Sequence, residues 1–467
     1  MGARAVGEST MSGDSREPAI SRPPLHVGMC VRVLPGAGGG IAQATMGLIH
    51  ALGKLDDGPE RYSLVVRNRE QEAWLTPYIG PNQRIVVHRH LGVRNGADLE
   101  ARNGGGRRGL AGALKAMLGP LLPAARRLQH LLSVPRDWPE VPVSDGFFEG
   151  LGCDIVHFPT QWFMLCNRPS IYNPHDLQHL VYPQYITQGE LTWRETLYPA
   201  GCRFSHTVVV GTQWIKEDVV RQYGTAPDKI QVIPWAPPTQ LYKEPGPEHL
   251  SVVRGRYGID RPFAIFPAVT WPHKNHIRLL EALAYLRDER GLVVPLVCTG
   301  SRLDSHWPRI EARIRELKLE PQVKFLGFVP EEDLRALYRL SQLLVMPTLY
   351  EADSCPIFEA WHEGVPVASS NVTALPVQVQ DAGILFDPKD VKAMAEAVAR
   401  LATDEALRDD LRRRGLRRVQ DFDWERTARA YRAVYRRAAD ATLTEEDRWL
   451  LQWDWMREPG RTREGVR

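Results

Sequence analysis

Residues 346–388, MPTLYEADSCPIFEAWHEGVPVASSNVTALPVQVQDAGILFDP, alternate short apolar runs with helix-forming segments. A strand is predicted to end near Pro347 and a helix to begin close to Pro356, because proline is favourable in the first turn of a helix. The run VPVASS (365–370) then predicts a second strand and GILFD (383–387) a third, with a helix between them. Strands separated by helices favour a parallel sheet with helical crossovers.

The same alternation continues outward from this stretch in two series. The apolar runs of the N-terminal series are 26–34, 62–67, 84–91, 153–159, 169–174, 206–211 and 229–235. Those of the C-terminal series are 263–269, 294–300, 323–329, 342–348, 365–370 and 383–387. A charged, proline-containing linker at 237–247 separates them. Two consecutive series of similar size predict an α/β fold of two doubly wound domains facing a cleft, with ligands at the carboxyl ends of the strands.

The composition argues against several classes of function. Lys and Arg total 59 against 56 Asp and Glu, so the net charge of +3 gives no case for nucleic-acid binding. The six cysteines are dispersed without a C-x-x-C pair, which favours reduced thiols. The N-terminus has no apolar signal region, and no stretch has the length of a membrane span. These features predict a soluble, cytoplasmic protein.

The opening stretch also carries two carboxylates in positions suited to sugar binding. Glu351 lies in the predicted loop after a strand, and Glu359 lies in the early turns of the helix that follows. Carboxylates there can bond to the hydroxyls of a ribose or a hexose. The segment SSNVTALP (369–376) opens a further helix, whose free N–H groups and dipole can hold phosphate.

This pattern resembles the retaining, GT-B-fold glycosyltransferases of family four, the group 1 glycosyl transferases. Their hallmark is a glutamate, seven residues and a second glutamate, followed by G-V-P-V and then S-N-x-x-A-L-P. The matching residues are Glu351, Glu359, Gly364–Val367, Ser370, Asn371, Ala374, Leu375 and Pro376. The resemblance extends over roughly residues 26–437 and implies two Rossmann-like domains.

The predicted organisation follows from the two series and the resemblance. It comprises a disordered leader (1–22), an N-terminal acceptor domain (23–240), a C-terminal nucleotide-sugar domain (248–425), a helix returning to the N-terminal domain (426–440) and a tail (441–467). The segment 95–140 interrupts the N-terminal series. It has two interpretations: an inserted helical hairpin, or a surface element that contacts a membrane peripherally through 107–132.

For the donor site, the resemblance implies roles for particular residues. Glu359 would bind the ribose, Glu351 the hexose and Lys274, in PHKNH (272–276), the diphosphate. Backbone amides of the following helix would contact the phosphates, at Thr373, Ala374 and Leu375. A lysine ammonium at such a turn can neutralise charge on a departing diphosphate.

In the N-terminal half, the resemblance covers a glycine-rich loop and a histidine. Gly39 and Gly40 would permit close approach of the backbone to the diphosphate. His175, in YNPHDLQHLVYP (172–183), would hold the donor sugar near its anomeric carbon. His157 and His179 are interpreted as structural. The predicted catalytic residues are therefore His175, Glu351 and Lys274.

Two departures from the family pattern leave alternatives open. After Glu351 this chain reads A-D-S-C in place of the usual G-F-G-L, so Asp353 or Ser354 is a further candidate for sugar binding.

Five residues before Lys274, Val269 stands where many members have an arginine. Thr270, His273 or Arg302 could help to bind phosphate in its place.

The resemblance implies transfer of a hexose with retained configuration, in which the leaving phosphate helps to deprotonate the acceptor. GDP-mannose is the favoured donor and a UDP-sugar the next, with a hydroxyl on a polysaccharide, lipid-linked or small-molecule acceptor. No metal site, metal requirement or other cofactor is predicted. The alternatives are a catalytically silent partner that binds sugar nucleotides and a sugar-nucleotide epimerase of the same shape.

Overall fold

A computed structural model describes residues 24–33, 39–91 and 140–455, and most of these residues belong to two parallel sheets covered by helices. The N-terminal sheet has seven strands: β1 (His26–Cys30), β2 (Arg61–Val66), β3 (Gln83–Val87), β4 (Ile155–Phe158), β5 (Ser170–Tyr172), β6 (Thr207–Val210) and β7 (Ile230–Val232). Their order is β3-β2-β1-β4-β5-β6-β7. In the parallel register, Met29 of β1 lies between Leu64 and His157.

The C-terminal sheet has six parallel strands. They are β8 (Ala264–Pro267), β9 (Leu296–Thr299), β10 (Val323–Phe325), β11 (Leu343–Met346), β12 (Val367–Ser370) and β13 (Gly383–Phe386), in the order β10-β9-β8-β11-β12-β13. In both sheets the order reverses beside the first strand, which opens a crevice at the carboxyl ends of the strands. The predicted α/β fold of two doubly wound domains is confirmed, and each predicted run overlaps one observed strand.

Helices cover both faces of the two sheets. Those of the N-terminal half are α1 (Gly40–Lys54), α2 (Arg69–Leu75), α3 (Phe147–Gly150), α4 (Gln178–Val181), α5 (Gln188–Phe204) and α6 (Gln213–Tyr223). Those that follow are α7 (Pro247–Tyr257), α8 (His276–Arg290), α9 (Trp307–Glu316), α10 (Glu331–Leu340), α11 (Cys355–His362), α12 (Leu375–Val379), α13 (Val391–Thr403), α14 (Glu405–Val419), α15 (Trp424–Ala438) and α16 (Glu445–Gln452).

Local sequence explains why these elements form. Strands β4, β6, β11 and β12 are buried along their whole length, as expected for strands with helices on both faces. Pro356 occupies the first turn of α11, where its missing N–H costs nothing. Helix α16 begins with a reciprocal capping box between Thr444 and Asp447.

Helix α15 comes after the C-terminal sheet in sequence but packs on the N-terminal domain. Tyr431 accepts a hydrogen bond at its hydroxyl from the Asn173 Nδ2 at 2.7 Å. The Tyr435 hydroxyl lies 2.8 Å from Nδ1 of His157. Arg436 contacts Glu60 at 2.7 Å in a buried ion pair. Helix α15 is therefore part of the N-terminal core.

Some predicted segments lie outside the described residues. They are the leader at 1–22, the element at 107–132 and the end of the tail after 455. Over 24–33, 39–91 and 140–455, no helix is both long and apolar enough to cross a bilayer.

Candidate functional site

Two adjoining cavities lie where the two sheets face each other. The long cavity, of about 350 Å³, runs from Gly39 and Gln43 past Lys274 to Phe328 and Glu359. The short cavity, of about 180 Å³, is lined from the N-terminal domain by His175, Asp176, Gly211 and Trp235, among others. Both cavities share Gly40, His273, Lys274, Glu351, Asp353 and Cys355. Residues of both predicted domains therefore meet at one place.

Lys274 and Glu351 form an ion pair at the junction of the cavities. The Lys274 Nζ lies 2.7 Å from the Glu351 Oε2, and both side chains are mostly buried. Lys274 ends a single 3₁₀ turn, Pro272–Lys274, and the next residue, Asn275, has a left-handed φ of +64°. The Asn275 Nδ2 donates to the carbonyls of Pro347 and Pro388, each at 2.9 Å. These bonds hold the turn that carries the ammonium.

The Glu351 backbone is tied to the segment before α12. Its N–H donates to Oγ1 of Thr373 at 3.1 Å, and the Thr373 hydroxyl donates back to the Glu351 carbonyl at 2.5 Å. Thr373, Ala374 and Leu375 do not line either cavity, and the Leu375 N–H bonds to the Val372 carbonyl. In this arrangement the segment positions the loop of Glu351, and its contact with phosphate stays a prediction.

Glu359 lines the long cavity from the buried face of α11. Its side chain is 6% exposed, and the Tyr338 hydroxyl donates to its Oε2 at 2.7 Å. Burial raises the pKa of Glu359 to about 7, and the Tyr338 hydrogen bond opposes part of that rise. A carboxylate in this position can accept hydrogen bonds from a ligand's hydroxyls.

Asp353 and Ser354 have different surroundings. Asp353 lines both cavities, whereas Ser354 is fully buried and exchanges two backbone hydrogen bonds with the Gln378 amide at 3.0 and 2.9 Å. Burial raises the pKa of Asp353 to about 7, against the opposing effect of the Trp235 backbone N–H. Of the two candidates, Asp353 is the one placed to meet a ligand.

The glycine-rich loop and the predicted histidine also lie at the cleft. Gly39 precedes α1 and Gly40 begins it, with open space where a Cβ would stand. His175 lines the short cavity with φ +63°, a left-handed conformation that is uncommon for a side chain of this size. Its Nε2 lies 2.9 Å from the carbonyl of Pro159, and burial lowers its pKa to about 4, so the ring is neutral at pH 7.

The other two histidines make internal contacts. His157 is fully buried and bonds to Asn173 at 2.7 Å, and His179, also fully buried, lies 3.2 Å from the Tyr223 hydroxyl. Neither lines either of the two cavities.

The three candidates for replacing the family's arginine are also distinguished by their contacts. The Thr270 Oγ1 accepts from the Leu303 N–H at 2.7 Å and faces neither cavity. Arg302 stacks over Trp307 and donates to a main-chain carbonyl. His273 lines both cavities beside Lys274, and burial lowers its pKa to about 2, so it offers a neutral imidazole.

The cavity residues that were not predicted from the sequence include Gln43, Asp176, Phe328 and Glu331. The Phe328 ring is 60% exposed at the end of the long cavity. Burial raises the pKa of Glu331, opposed by a hydrogen bond with the Gln43 side chain from the other domain. No motif in the sequence singled out these side chains.

Two doubly wound domains that face each other across cavities at the carboxyl ends of their strands form the architecture of the GT-B fold. A sucrose-phosphate synthase from Thermosynechococcus elongatus has the same fold, with a TM-score of 0.61 at 19% identity over 89% of this chain and 99% of that chain. The family model of the group 1 glycosyl transferases matches residues 254–418, and that of Glycosyltransferase Family 4 matches 106–239. The chain therefore belongs to the GT-B glycosyltransferases of this family.

Its similarity to curated proteins includes two mannosyltransferases of Escherichia coli. The O-antigen chain mannosyltransferase B is 28% identical over 287 residues, which is 60% of this chain and 74% of the relative. The serotype-specific mannosyltransferase WbdA is 30% identical over 182 residues, 39% of this chain but only 22% of the relative. The chain thus matches most of the first relative and about a fifth of the second.

Proposed function

We propose that the protein transfers mannose from GDP-mannose to a hydroxyl of a polysaccharide or lipid-linked acceptor, with retained anomeric configuration. The observation that carries the proposal is the Lys274–Glu351 pair at the junction of the cavities, with Glu359 further along the long cavity. A nucleoside diphosphate fits along this line, with its sugar at the junction. The mannosyltransferases among the relatives support mannose as the transferred sugar.

Charge supports Lys274 as the group that holds the diphosphate. It is the one Lys or Arg among the described residues lining either cavity, which also hold Asp176, Glu331, Glu351, Asp353 and Glu359. A diphosphate entering this acidic site therefore needs the Lys274 ammonium, and its arrival would free Glu351 to bind a hexose hydroxyl. In this proposal Lys274 and backbone N–H groups, rather than a metal ion, balance the charge of the leaving group.

The far end of the long cavity supports guanine over uracil. The exposed Phe328 ring offers a stacking surface, and Glu331 lines the same cavity. The Watson–Crick edge of guanine presents two adjacent donors, N1–H and N2–H, which a carboxylate can accept together. Uracil presents one N–H flanked by carbonyls, which a carboxylate repels.

The proposal is tested by calorimetric titration of GDP and UDP into the wild type and the Lys274→Ala and Glu359→Ala variants. GDP should bind more tightly than UDP, and each variant should lose at least about 30-fold in GDP affinity, since each removes a charged partner of the ligand. Glu289→Ala on α8, outside both cavity linings, is the matched control and should bind as the wild type does.

A turnover assay then distinguishes the transferase from a silent sugar-nucleotide-binding partner and from an epimerase. Release of GDP from GDP-mannose with formation of an α-mannoside, detected by NMR, is expected of the retaining transferase. Nucleotide binding without turnover would instead indicate a silent partner, and conversion of the sugar nucleotide without an acceptor an epimerase. A folded wild type that binds neither GDP nor UDP would overturn the donor site itself.

A further inference from the structure

The turn after β5 brings two polar residues of the N-terminal domain to the short cavity. Asp176 and Gln178 both line it, beside His175. His175 has a left-handed φ of +63°, and the Asp176 N–H donates to the Pro174 carbonyl at 2.9 Å, so the chain turns tightly here. A side chain of this size is uncommon in that conformation, and such positions are concentrated at functional sites.

The same turn is fixed against the C-terminal domain. The Leu177 N–H donates to the Tyr350 hydroxyl at 3.2 Å, and the Tyr350 side chain is buried. Tyr350 directly precedes Glu351, which the proposed function places at the transferred hexose. Asp176 and Gln178 therefore belong to the N-terminal wall of a small cavity whose C-terminal wall holds the donor sugar.

Asp176 retains capacity to bind a ligand. Its Oδ1 accepts from the Gln178 N–H at 3.2 Å and lies 3.8 Å from the Arg194 Nη1. The side chain is 24% exposed, and it lines the cavity. Because an ionised carboxylate can accept about four hydrogen bonds, Asp176 can still accept from a ligand's hydroxyls, and the Gln178 amide can donate or accept beside it.

Arg194, the cation next to Asp176, is compensated within the protein. Its Nε and Nη2 both donate to the Glu190 Oε1, at 3.1 and 2.6 Å, and it lines neither cavity. Burial raises the pKa of the Asp176 carboxyl, and the positive charge of Arg194 opposes that rise. Arg194 thus supports the charge of Asp176 rather than the charge of a ligand.

The charge of the short cavity is unsuited to a second anion. Among its described lining residues Lys274 is the one Lys or Arg, and the proposed function assigns it to the donor diphosphate. Burial lowers the pKa of His175 to about 4 and that of His273 to about 2, so both rings are neutral at pH 7. A phosphate on the acceptor would meet carboxylates there, with Lys274 already engaged by the donor, and like charges brought together are strongly unfavourable.

The size of the cavity also limits what can enter. Its volume is about 180 Å³, below the roughly 300 Å³ at which pockets for drug-sized ligands begin. One sugar ring of an acceptor therefore fits better than several.

We propose that Asp176 determines the specificity for the acceptor: with Gln178 it binds hydroxyls of an uncharged sugar unit, and its charge rejects sugars that carry a phosphate. The inference rests on the proposed function and deepens it, because it names the chemical class of the unit that enters the short cavity. That unit is a neutral sugar, as at the end of a glycan chain, and not a sugar phosphate.

The first test compares acceptors on the wild type. Transfer from GDP-mannose at pH 7.5 is followed with methyl α-D-mannoside, α-D-mannose 1-phosphate and D-mannose 6-phosphate, each corrected for hydrolysis by water. Since a carboxylate repels a phosphate beside it, kcat/KM should be at least about 100-fold higher for the neutral mannoside than for either phosphate.

The second test is the Asp176→Asn variant, which keeps the size of the side chain and removes its charge. Its KM for methyl α-D-mannoside should rise roughly 10-fold or more, because an amide is a weaker acceptor than a carboxylate. Its discrimination against the two phosphates should fall by at least about tenfold, and its GDP affinity should stay within about threefold of wild type. Asp228→Asn, exposed in the same domain and outside both cavity linings, is the matched control.

A third variant separates hydrogen bonding from charge. Gln178→Ala removes an amide and no charge, so the KM for methyl α-D-mannoside should rise several-fold while the discrimination against phosphates is retained. Together with the wild-type comparison, this variant tests the proposal even if Asp176→Asn folds poorly.

Four outcomes would overturn the role of Asp176. The first is a wild type that uses neutral and phosphorylated mannose equally well, and the second is an Asp176→Asn variant with the KM and discrimination of wild type. The third is a parallel loss of GDP-mannose affinity in that variant, which would make Asp176 a donor-binding residue. The fourth is a wild type that binds GDP-mannose yet transfers to none of the three sugars. Failure to bind GDP or GDP-mannose at all would instead contradict the proposed function.

Discussion

Two glutamates four residues apart, Glu359 within α11 and Glu363 directly after it, have opposite surroundings. Glu359 faces the long cavity, where it accepts a hydrogen bond from the neutral Tyr338 hydroxyl, and burial raises its pKa to about 7. Glu363 contacts two arginines of α10, and although burial alone would raise its pKa, hydrogen bonds from His362, Arg339 and Arg335 hold it at about 2. Both arginines contact it at 2.5 Å.

The Glu363 carboxylate stabilises the fold, whereas the Glu359 carboxylate is available to a ligand. Glu363 is charged at neutral pH and is paired with Arg335 and Arg339, so its ionisation contributes to the stability of the folded state. Glu359 is buried, and no cation of the described residues pairs with it, so its ionisation costs stability, and that cost can be recovered when a ligand binds. Neutral variants of the two residues should therefore change the free energy of unfolding in opposite directions.

The largest expected effect is the loss of stability in Glu363→Gln. The substitution leaves the Arg335 and Arg339 guanidinium groups near an uncharged amide, and breaking a buried ion pair in this way costs about 3 kcal/mol. Urea unfolding at pH 7.5 measures this loss, and GDP affinity measured alongside should change little. Equal stability of the variant and wild type would remove the distinction between the two glutamates.

Glu359→Gln should lose donor affinity, the next largest effect. The amide is a poorer acceptor for ribose hydroxyls than a carboxylate, and a hydrogen bond to a charged group contributes about 1.5–3 kcal/mol, or roughly 10- to 100-fold in affinity. Calorimetric titration with GDP at pH 8 measures it. A variant that binds GDP as wild type does would place the ribose elsewhere.

The same Glu359→Gln variant should be more stable than wild type at pH 8, by about 1–3 kcal/mol. The folded protein holds the Glu359 proton up to about pH 7, whereas the unfolded chain releases it near the usual glutamate pKa of 4.5, so stability falls as pH rises through this window. Below about pH 4.5 the gain should vanish. Urea unfolding of both proteins at pH 4.5 and pH 8 checks the sign, and a gain that is the same at both values would contradict it.

The smallest expected effect is that of Tyr338→Phe. It removes the donor to the Glu359 Oε2 and should lower the free energy of unfolding at pH 8 by about 1 kcal/mol. The pKa of Glu359 should rise further in this variant. Donor binding should consequently require a higher pH, which calorimetry with GDP across pH 6 to 9 would show; an unchanged profile would mean that Tyr338 does not control this carboxyl.

The sheets were predictable because their strands are continuous apolar runs separated by helices. A strand such as β11, LLVM, is buried on both faces, so its sequence carries the signal without knowledge of its neighbours. The stretch 346–388 added the two glutamates and their spacing. Lys274, Glu351 and Glu359, to which the family resemblance gave roles in the donor site, do line the same cavity.

Contacts between distant segments were not predictable in this way. Gln43 and Glu331 meet across the cleft, and Asp353 fits against Gly211, yet no periodicity relates these positions. For the same reason, the sequence made Thr270 a candidate for phosphate binding. In the structure its hydroxyl accepts a hydrogen bond from the Leu303 N–H of a neighbouring loop. Sequence patterns describe what a segment buries, whereas these pairings depend on how the domains are arranged.

The position of α15 has a consequence for biosynthesis. Tyr431 and Asn173 are separated by 258 residues, and Arg436 and Glu60 by 376, yet each pair is buried in or against the N-terminal domain. When β7 leaves the ribosome, α15 has not yet been synthesised. Tyr62 and His157 of the N-terminal domain are then not yet covered by this helix. The first half of the nascent chain must therefore wait for the second before it can close its core, and it exposes apolar surface in the meantime, when chaperones can bind it.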